Sequence, residues 1–224
     1  KCGENIAKEQ IGLTKGTYLT PQAISMCATM GYATLPVVQQ LRIGIISTGD
    51  ELKPPGEELA YGEIYESNSY GLAGLVNMLG HIPIRYPAVH DSMDALRNQF
   101  NQAANECDLF LTSGGVSMGE WDFVRKLMEE EGEPVFWRVK IRPGSPPLFG
   151  HWNGTPMFGL PGNPVSSHVV FRMLVIPYLR GSLETPYPHD QIVHARLKTS
   201  VRSIKDCLTL RRVTLESTPG GFVA

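Results

Sequence analysis

The sequence predicts an α/β protein of three layers built on a mostly parallel sheet, with β-rich segments flanking that core. Three observations carry this. Short apolar runs of strand length alternate with longer amphipathic stretches from Arg42 to about Leu179, the pattern of successive βαβ units. Two of the runs, 42–47 and 108–112, are apolar over most of their length, as strands buried on both faces of a parallel sheet are. Each ends in a glycine-containing loop, Thr48-Gly-Asp-Glu51 and Ser113-Gly-Gly115, at the sheet edge where such folds bind ligands.

Taken in order, residues 1–20 carry Gly3, Gly12 and Gly16 between short mixed runs and read as β or irregular structure. Thr20-Pro21 is an N-cap followed by proline at the first helical position, opening a short helix to about Met30 that Gly31 stops. Residues 32–38 read as a short strand and Gln39-Gln40 as a junction. Strand 42–47 leads to a helix over 68–79, with Leu72, Leu75, Val76 and Leu79 on one face and Gly80 as its stop. Strand 82–89 follows, and Asp91 caps a helix with the apolar stripe Met93, Leu96, Phe100 and Ala103. Strand 108–112 precedes a helix over 120–131, and 135–141 is a fourth strand. Residues 147–150 and 156–159 form a hairpin about the turn Asn153-Gly154. Asn163-Pro164 then opens a long apolar helix to about Leu179. Proline and histidine dominate from there to His189, which marks a linker, and 191–201 and 208–216 read as strands of a β module. The domain plan is 1–40 as the end of a preceding or linker domain, 41–182 as the α/β domain, and 183–224 as an incomplete β domain.

Bulk composition narrows function by exclusion. A hydrophobic fraction of 42% with 19% charged residues describes an ordinary globular chain. The formal net charge of −2 points to no nucleic-acid or acidic-membrane partner. No apolar run approaches the roughly 20 residues of a membrane-spanning helix, and Lys1-Cys-Gly-Glu-Asn5 is no signal peptide. Cys2, Cys27, Cys107 and Cys207 form no CxxC, which argues against a zinc knuckle or disulfide framework and fits a reducing cytoplasm. The histidines are scattered, with His189 and His194 in a loop, and read as structural or solvated. A start without methionine and an end where a strand pair opens fit a fragment of a longer protein.

Three loops after strands are richer in functional groups than a scaffold requires. Around Ser113, Gly114 and Gly115, a strand, a glycine turn and a helix start make a concavity of backbone N–H groups suited to an oxyanion. A plain tight βα turn is the simpler reading of the glycine pair. Ser117, Glu120 and Asp122 crowd the same rim, however, where a structural turn needs a single cap. The loop Ser47-Thr-Gly-Asp-Glu51 offers two carboxylates and a hydroxyl, or alternatively capping and solvated charge. In Gly159-Leu-Pro-Gly-Asn-Pro-Val-Ser166 the prolines set an unusual backbone that leaves Asn163 and Ser166 at a helix start, or simply a rigid turn. Lys140 and Arg142, two residues apart, would share one face of a strand as a paired-cation anion site; solvated edge charges explain them equally. Glu51, Asp91 and Asp122 beside anion donors suit a Mg²⁺–phosphate ligand, the ion bridging carboxylate and phosphate oxygens. No GxxxxGK[ST], GxGxxG or Ser–His–Asp grouping is present.

Four motifs in order, Ser47-Thr-Gly-Asp-Glu-Leu52, Thr112-Ser-Gly-Gly-Val-Ser-Met-Gly-Glu-Trp-Asp122, Arg142-Pro-Gly-Ser-Pro146 and Gly159-Leu-Pro-Gly-Asn-Pro-Val-Ser166, carry a resemblance. Over residues 10–216 the chain resembles the molybdopterin molybdenumtransferases, the MoeA family that includes the gephyrin E domain. The resemblance implies a molybdopterin-binding, MogA-like core. It implies insertion of molybdate into adenylylated molybdopterin, with release of AMP and formation of molybdenum cofactor, in the presence of Mg²⁺. Ser113 to Ser117 would then contact the pterin–nucleotide phosphates, with Asn68 among the substrate-binding residues. Asp122, Glu51 and Asp91 would be catalytic, and Asp91 and Asp122 would hold the metal. Lys140, Arg142, Ser145, Asn163, Ser166 and Arg212 would complete the substrate and molybdate pocket. The family usually reads Lys-Pro-Gly-Lys where this chain has Arg142-Pro-Gly-Ser145, so the second cation is lost here. A homodimer, a molybdopterin adenylyltransferase as partner and a cytoplasmic location are implied as well. The alternatives are that adenylyltransferase itself, a CinA-like nucleotide pyrophosphatase, or a gephyrin-like binding scaffold.

Overall fold

Runs of isoleucine and leucine too apolar for a solvated strand build the middle of a six-stranded sheet. Its strands are β1 (Arg42–Ser47), β4 (Ile82–Arg85), β5 (Leu109–Ser113), β6 (Glu133–Trp137), β8 (Leu148–Trp152) and β9 (Thr155–Leu160). Short pairs β2 (Leu52–Lys53) with β3 (Ile64–Tyr65) and β7 (Ile141–Arg142) with β11 (Leu208–Thr209) lie outside it. A three-stranded sheet joins β10 (Ala195–Arg196), β12 (Glu216–Thr218) and β13 (Gly221–Val223). The computed structural model describes residues 6–116, 122–185 and 191–224. Contacts divide the chain into one unit of 1–39 with 176–192 and another of 40–175 with 193–224.

The large sheet has the order β4-β1-β5-β9-β8-β6. β4, β1, β5 and β9 pair in parallel, and β8 alone runs against its neighbours in the sheet. The chain leaves β1 toward β4 on one side and reaches β5 and β9 on the other. That reversal beside β1 is the topological switch point at which open α/β sheets leave a crevice.

Helices α2 (Asn68–Met78), α3 (Met93–Glu106), α4 (Phe123–Glu130) and α5 (Pro164–Val170) cover the sheet. α2 packs on β1, β4 and α5, whereas α3 packs on β1, β5, β8 and α4, so the helices fall into two layers. In β1, Ile46 faces the α3–α4 layer with Phe110 of β5, as the two-residue strand repeat requires. The centre of that layer is aromatic: Phe100 meets Phe110 at 5.2 Å and Trp152 edge-on at 5.3 Å, contacts that add to simple burial. On α2 the predicted stripe holds, with Leu72 and Val76 fully buried.

In the other unit, α1 (Pro21–Thr29) begins as predicted: Thr20 Oγ1 accepts from Ala23 N at 3.2 Å and proline occupies the first turn. Ala23 and Cys27 are its buried residues. A π-helical turn, Phe171–Val175, follows α5, and α6 (Ile176–Ser182) follows the turn. Lys15 pairs with Glu184, and Thr185 Oγ1 donates to Gly16 O at 3.3 Å.

Several predicted boundaries are corrected. Residues 32–38 form no strand, and Tyr32, Val37 and Val38 stay exposed; β-branched composition makes a strand only where a partner pairs with it. Strand 82–89 stops at Arg85, two residues before Pro87, which has no N–H to donate to a ladder. Strand 135–141 is interrupted because Arg138 adopts φ 76°. The helix predicted over 120–131 is described from Phe123 onward, and Glu120 lies outside the described residues. The preceding helix, α3 (Met93–Glu106), is capped by Ser92, whose Oγ accepts from Ala95 N at 3.2 Å, and not by Asp91. The long strands expected at 191–201 and 208–216 reduce to β10, β11, β12 and β13. The linker predicted up to His189 falls outside the described residues over 186–190.

Gly114, on the cleft, is a position where the fold admits no side chain. Its φ is 103° and a Cβ there would stand 2.6 Å from the backbone oxygen of Thr48. Gly114→Ala is expected to destabilise the protein by more than about 1 kcal/mol, since φ and space are both wrong for alanine. Urea denaturation followed by circular dichroism measures it; unchanged stability would contradict this packing.

Candidate active site

The carboxyl ends of β1, β5 and β9 open into one cleft of about 520 Å³. Its wall includes Glu51, Asn68, Asp91, Ser113, Gly114, Gly115, Asp122, Ser145, Asn163 and Ser166. Ten predicted site residues, from stretches far apart in the chain, therefore converge. Ser117 lies outside the described residues. Lys140, Arg142 and Arg212 are exposed and do not line the cleft. β7 spans Ile141–Arg142, so Lys140 precedes it, yet the carbonyls of Lys140 and Arg142 both accept from the β11 segment, at Leu208 N and Leu210 N. This pairing brings the stretch that carries Arg212 alongside the basic strand.

The acidic side of the cleft is tightly organised. Thr48 bridges Val89 in parallel and donates through Oγ1 to Asp91 Oδ1 at 2.5 Å. Asp50 Oδ1 accepts from Asp91 N at 3.2 Å and lies 3.0 Å from His90 Nδ1. The His90 contact, helped by the Asp91 amide, lowers the Asp50 carboxyl below its ordinary value. Asp91 moves the other way: half-burial raises its pKa, and the charges of Asp50 and Glu51 raise it further against the Thr48 hydrogen bond. A carboxylate destabilised by desolvation and by neighbouring carboxylates is one that a cation relieves.

Asp122 stands at the head of α4, 8% exposed. The third N–H of that helix, from Arg125, goes to Gly115 O at 3.2 Å, so the Asp122 carboxylate is not spent as its cap. Asn163 is spent: its Oδ1 accepts from Ser166 N at 3.2 Å and closes the start of α5.

Glu66 belongs to the wall of the cleft and was missed in the sequence. It is buried, 6% exposed, and its Oε1 accepts from Ser47 Oγ and Ser69 N, each at 2.8 Å. Its Oε2 accepts from Ser69 Oγ at 2.5 Å, with Arg85 Nη2 3.8 Å away. Glu66 thus ties the end of β1 to the first turn of α2. The available signal was positional, an acid directly before a helix whose own first turn holds none.

Among the described residues no group of three histidine, cysteine or acidic side chains gathers as a metal cage. Mg²⁺ seldom needs one, being held by one or two carboxylates and substrate phosphates. Asp91, Glu51 and Asp122 all line the cleft and fit that demand. Among the described residues no helix is long and apolar enough to cross a membrane.

Fold and cleft define the class, a three-layer α/β domain with its site at the switch point of a mostly parallel sheet. The chain belongs to the family whose model, described as "Probable molybdopterin binding domain", matches residues 44–181. Within the family the likeness runs to molybdopterin molybdenumtransferases. That of Haemophilus influenzae is 37% identical over 179 residues, 80% of this chain and 44% of the relative. That of Bacillus subtilis is 36% identical over 198 residues, 88% of this chain and 46% of the relative. The solved MoeA molybdopterin biosynthesis protein of Pyrococcus horikoshii matches with a TM-score of 0.78 at 33% identity, over 88% of this chain and 49% of that chain. The chain therefore spans about half the length of the relatives it matches.

The raised pKa of Asp91 sets a pH dependence. A carboxyl whose folded pKa exceeds its unfolded value costs stability once ionised, and costs nothing below the unfolded pKa. Asp91→Asn keeps an acceptor for Thr48 and removes the charge. Its melting temperature is expected to exceed wild type at neutral pH in metal-free buffer. The gain should shrink as pH falls through the raised pKa and vanish below the ordinary aspartate value of about 3.9. Thermal melts across pH check this; a pH-independent difference would refute the charge argument.

Proposed function

We propose that the protein to which this chain belongs inserts molybdate into adenylylated molybdopterin, releasing AMP and forming molybdenum cofactor. The observation that carries this reading is the convergence of Glu51, Asp91 and Asp122 with the Ser113-Gly114-Gly115 turn in one cleft at the sheet's switch point. Carboxylates alone repel a phosphate ligand, and a glycine turn alone holds any oxyanion. Together they suit a metal–phosphate substrate. The relatives named above are molybdenumtransferases, which favours insertion over adenylyl transfer or pyrophosphate hydrolysis.

Asp91 and Asp122 would hold Mg²⁺, with Glu51 beside them. When bound, the ion neutralises negative charge on the phosphate oxygens. The chain's own groups do the rest. Ser113 and the turn beyond Gly114, whose own N–H goes to Leu160 O, hold phosphate oxygens, Thr48 orients Asp91, and Asn163 sets the α5 start that carries Ser166. Arg142, Lys140 and Arg212 lie outside the cleft wall and would supply positive charge for molybdate only from beyond it, while Ser145, which lines the cleft, replaces the family's second lysine. Action as a homodimer in the cytoplasm, on substrate supplied by a molybdopterin adenylyltransferase, completes the proposal.

The test is AMP release by the full-length protein from adenylylated molybdopterin. Release is expected to require both Mg²⁺ and molybdate, to stop on chelation, and to fall by at least about a hundredfold in Asp122→Ala, as loss of a principal electrostatic group does. Release that ignores molybdate would refute insertion.

A further inference from the structure

Asn68 opens α2, and its side-chain nitrogen serves two acceptors at once. It lies 2.7 Å from Ser113 Oγ and 2.7 Å from the backbone oxygen of Gly162. A carbonyl oxygen can only accept, so Gly162 forces this amide to present its NH₂ at the corner. The second amide hydrogen then falls on Ser113 Oγ. A hydroxyl that accepts there has no acceptor on that nitrogen to which it could return its own proton. Ser113, 2% exposed, ends β5 on the cleft wall beside the glycine turn.

We propose that Asn68 is a positioning residue: held by Gly162, it makes Ser113 a hydrogen-bond donor for an oxyanion of the ligand. This rests on the phosphate-bearing ligand proposed above. Serine left to itself presents lone pairs or its proton with equal ease, and lone pairs repel an anion. Orientation in advance is what makes a neutral donor effective in a site that also holds carboxylates. The clamp has a rigid base, because Glu66 accepts from Ser69 N and Ser69 Oγ one residue beyond Asn68 and from Ser47 at the end of β1. One short segment, 66–69, thereby sets the hydrogen-bond sense at the ends of β1 and β5 and ties in the loop after β9.

A double-mutant cycle separates this role from a structural one. AMP with Mg²⁺ serves as probe, its binding to the full-length protein measured by calorimetry for wild type, Asn68→Ala, Ser113→Ala and the double variant. Each single change is expected to weaken binding about tenfold, the weight of one hydrogen bond to a charged group. The double variant should bind no more weakly than Ser113→Ala, because Asn68 acts through that hydroxyl. Losses that multiply, or an Asn68→Ala variant that binds like wild type, would overturn the proposal while leaving the phosphate site intact. Absence of AMP binding in wild type would remove the phosphate reading and this proposal with it. Melting temperatures of all four proteins report any general loosening, which would lower affinity equally in both Ser113 backgrounds. If Asn68→Ala does not fold, Asn68→Ser, too short to reach both acceptors, enters the same cycle.

Discussion

Everything at the carboxyl edge of the sheet depends on how closely the ends of β1 and β5 approach through backbone alone. Thr48 N donates to Ser113 O at 3.1 Å, and the space above Gly114 is filled by the Thr48 carbonyl. The acidic loop after β1 and the anion-donor turn after β5 must therefore share one cleft, and the switch in strand order beside β1 gives that cleft its depth. A single Cβ at position 114 would push apart the two halves of the site's chemistry.

That closeness sets opposing electrostatic demands. The exposed carboxylates of Asp50 and Glu51 stand near half-buried Asp91, and its burial, with their repulsion, lifts the Asp91 pKa. In the neighbouring turn the Gly114 N–H is spent on Leu160 O at 3.1 Å, so the anion donor proposed there is the Ser113 hydroxyl. A cation between them satisfies both, which is the arrangement a metal–phosphate ligand completes. The hydrogen bonds from Thr48 to Asp91 and from Asp91 N to Asp50 hold the acidic corner in shape. Repulsion therefore appears as a shifted pKa and not as splayed side chains.

Much of this was legible in the chain. The buried strands at 42–47 and 109–113, the stripes of α2 and α3 and the Asn153-Gly154 hairpin follow from period and turn chemistry acting over a few residues. Glu51 and Asp122 stood out because the polar groups of their loops exceed what capping needs, whereas Asp91 read most simply as a helix N-cap. Glu66 did not stand out, since an acid before a helix looks like a favourable dipole charge until its partners on β1 and α2 are seen together. Arg138 likewise looked like one residue of a continuous strand, and its left-handed backbone belongs to the detour that lets Pro147 O accept from its N–H.

Sequence alone determined the fold class, the succession of principal strands and helices along the chain, and the loops whose residues line the cleft. Those depend on local periodicity and on motifs whose residues are neighbours in the chain. Tertiary structure decided which of those loops share a cleft, that Ser92 and not Asp91 caps α3, and which way the Asn68 amide faces. Each of these is set by a partner 40 or more residues away or by a competing acceptor at hand, as when Thr48 takes Asp91, 43 residues distant, and Gly162 turns Asn68 from 94 residues away. Hydrogen-bond partners at such separations are chosen by strand pairing in three dimensions, and no local pattern encodes them.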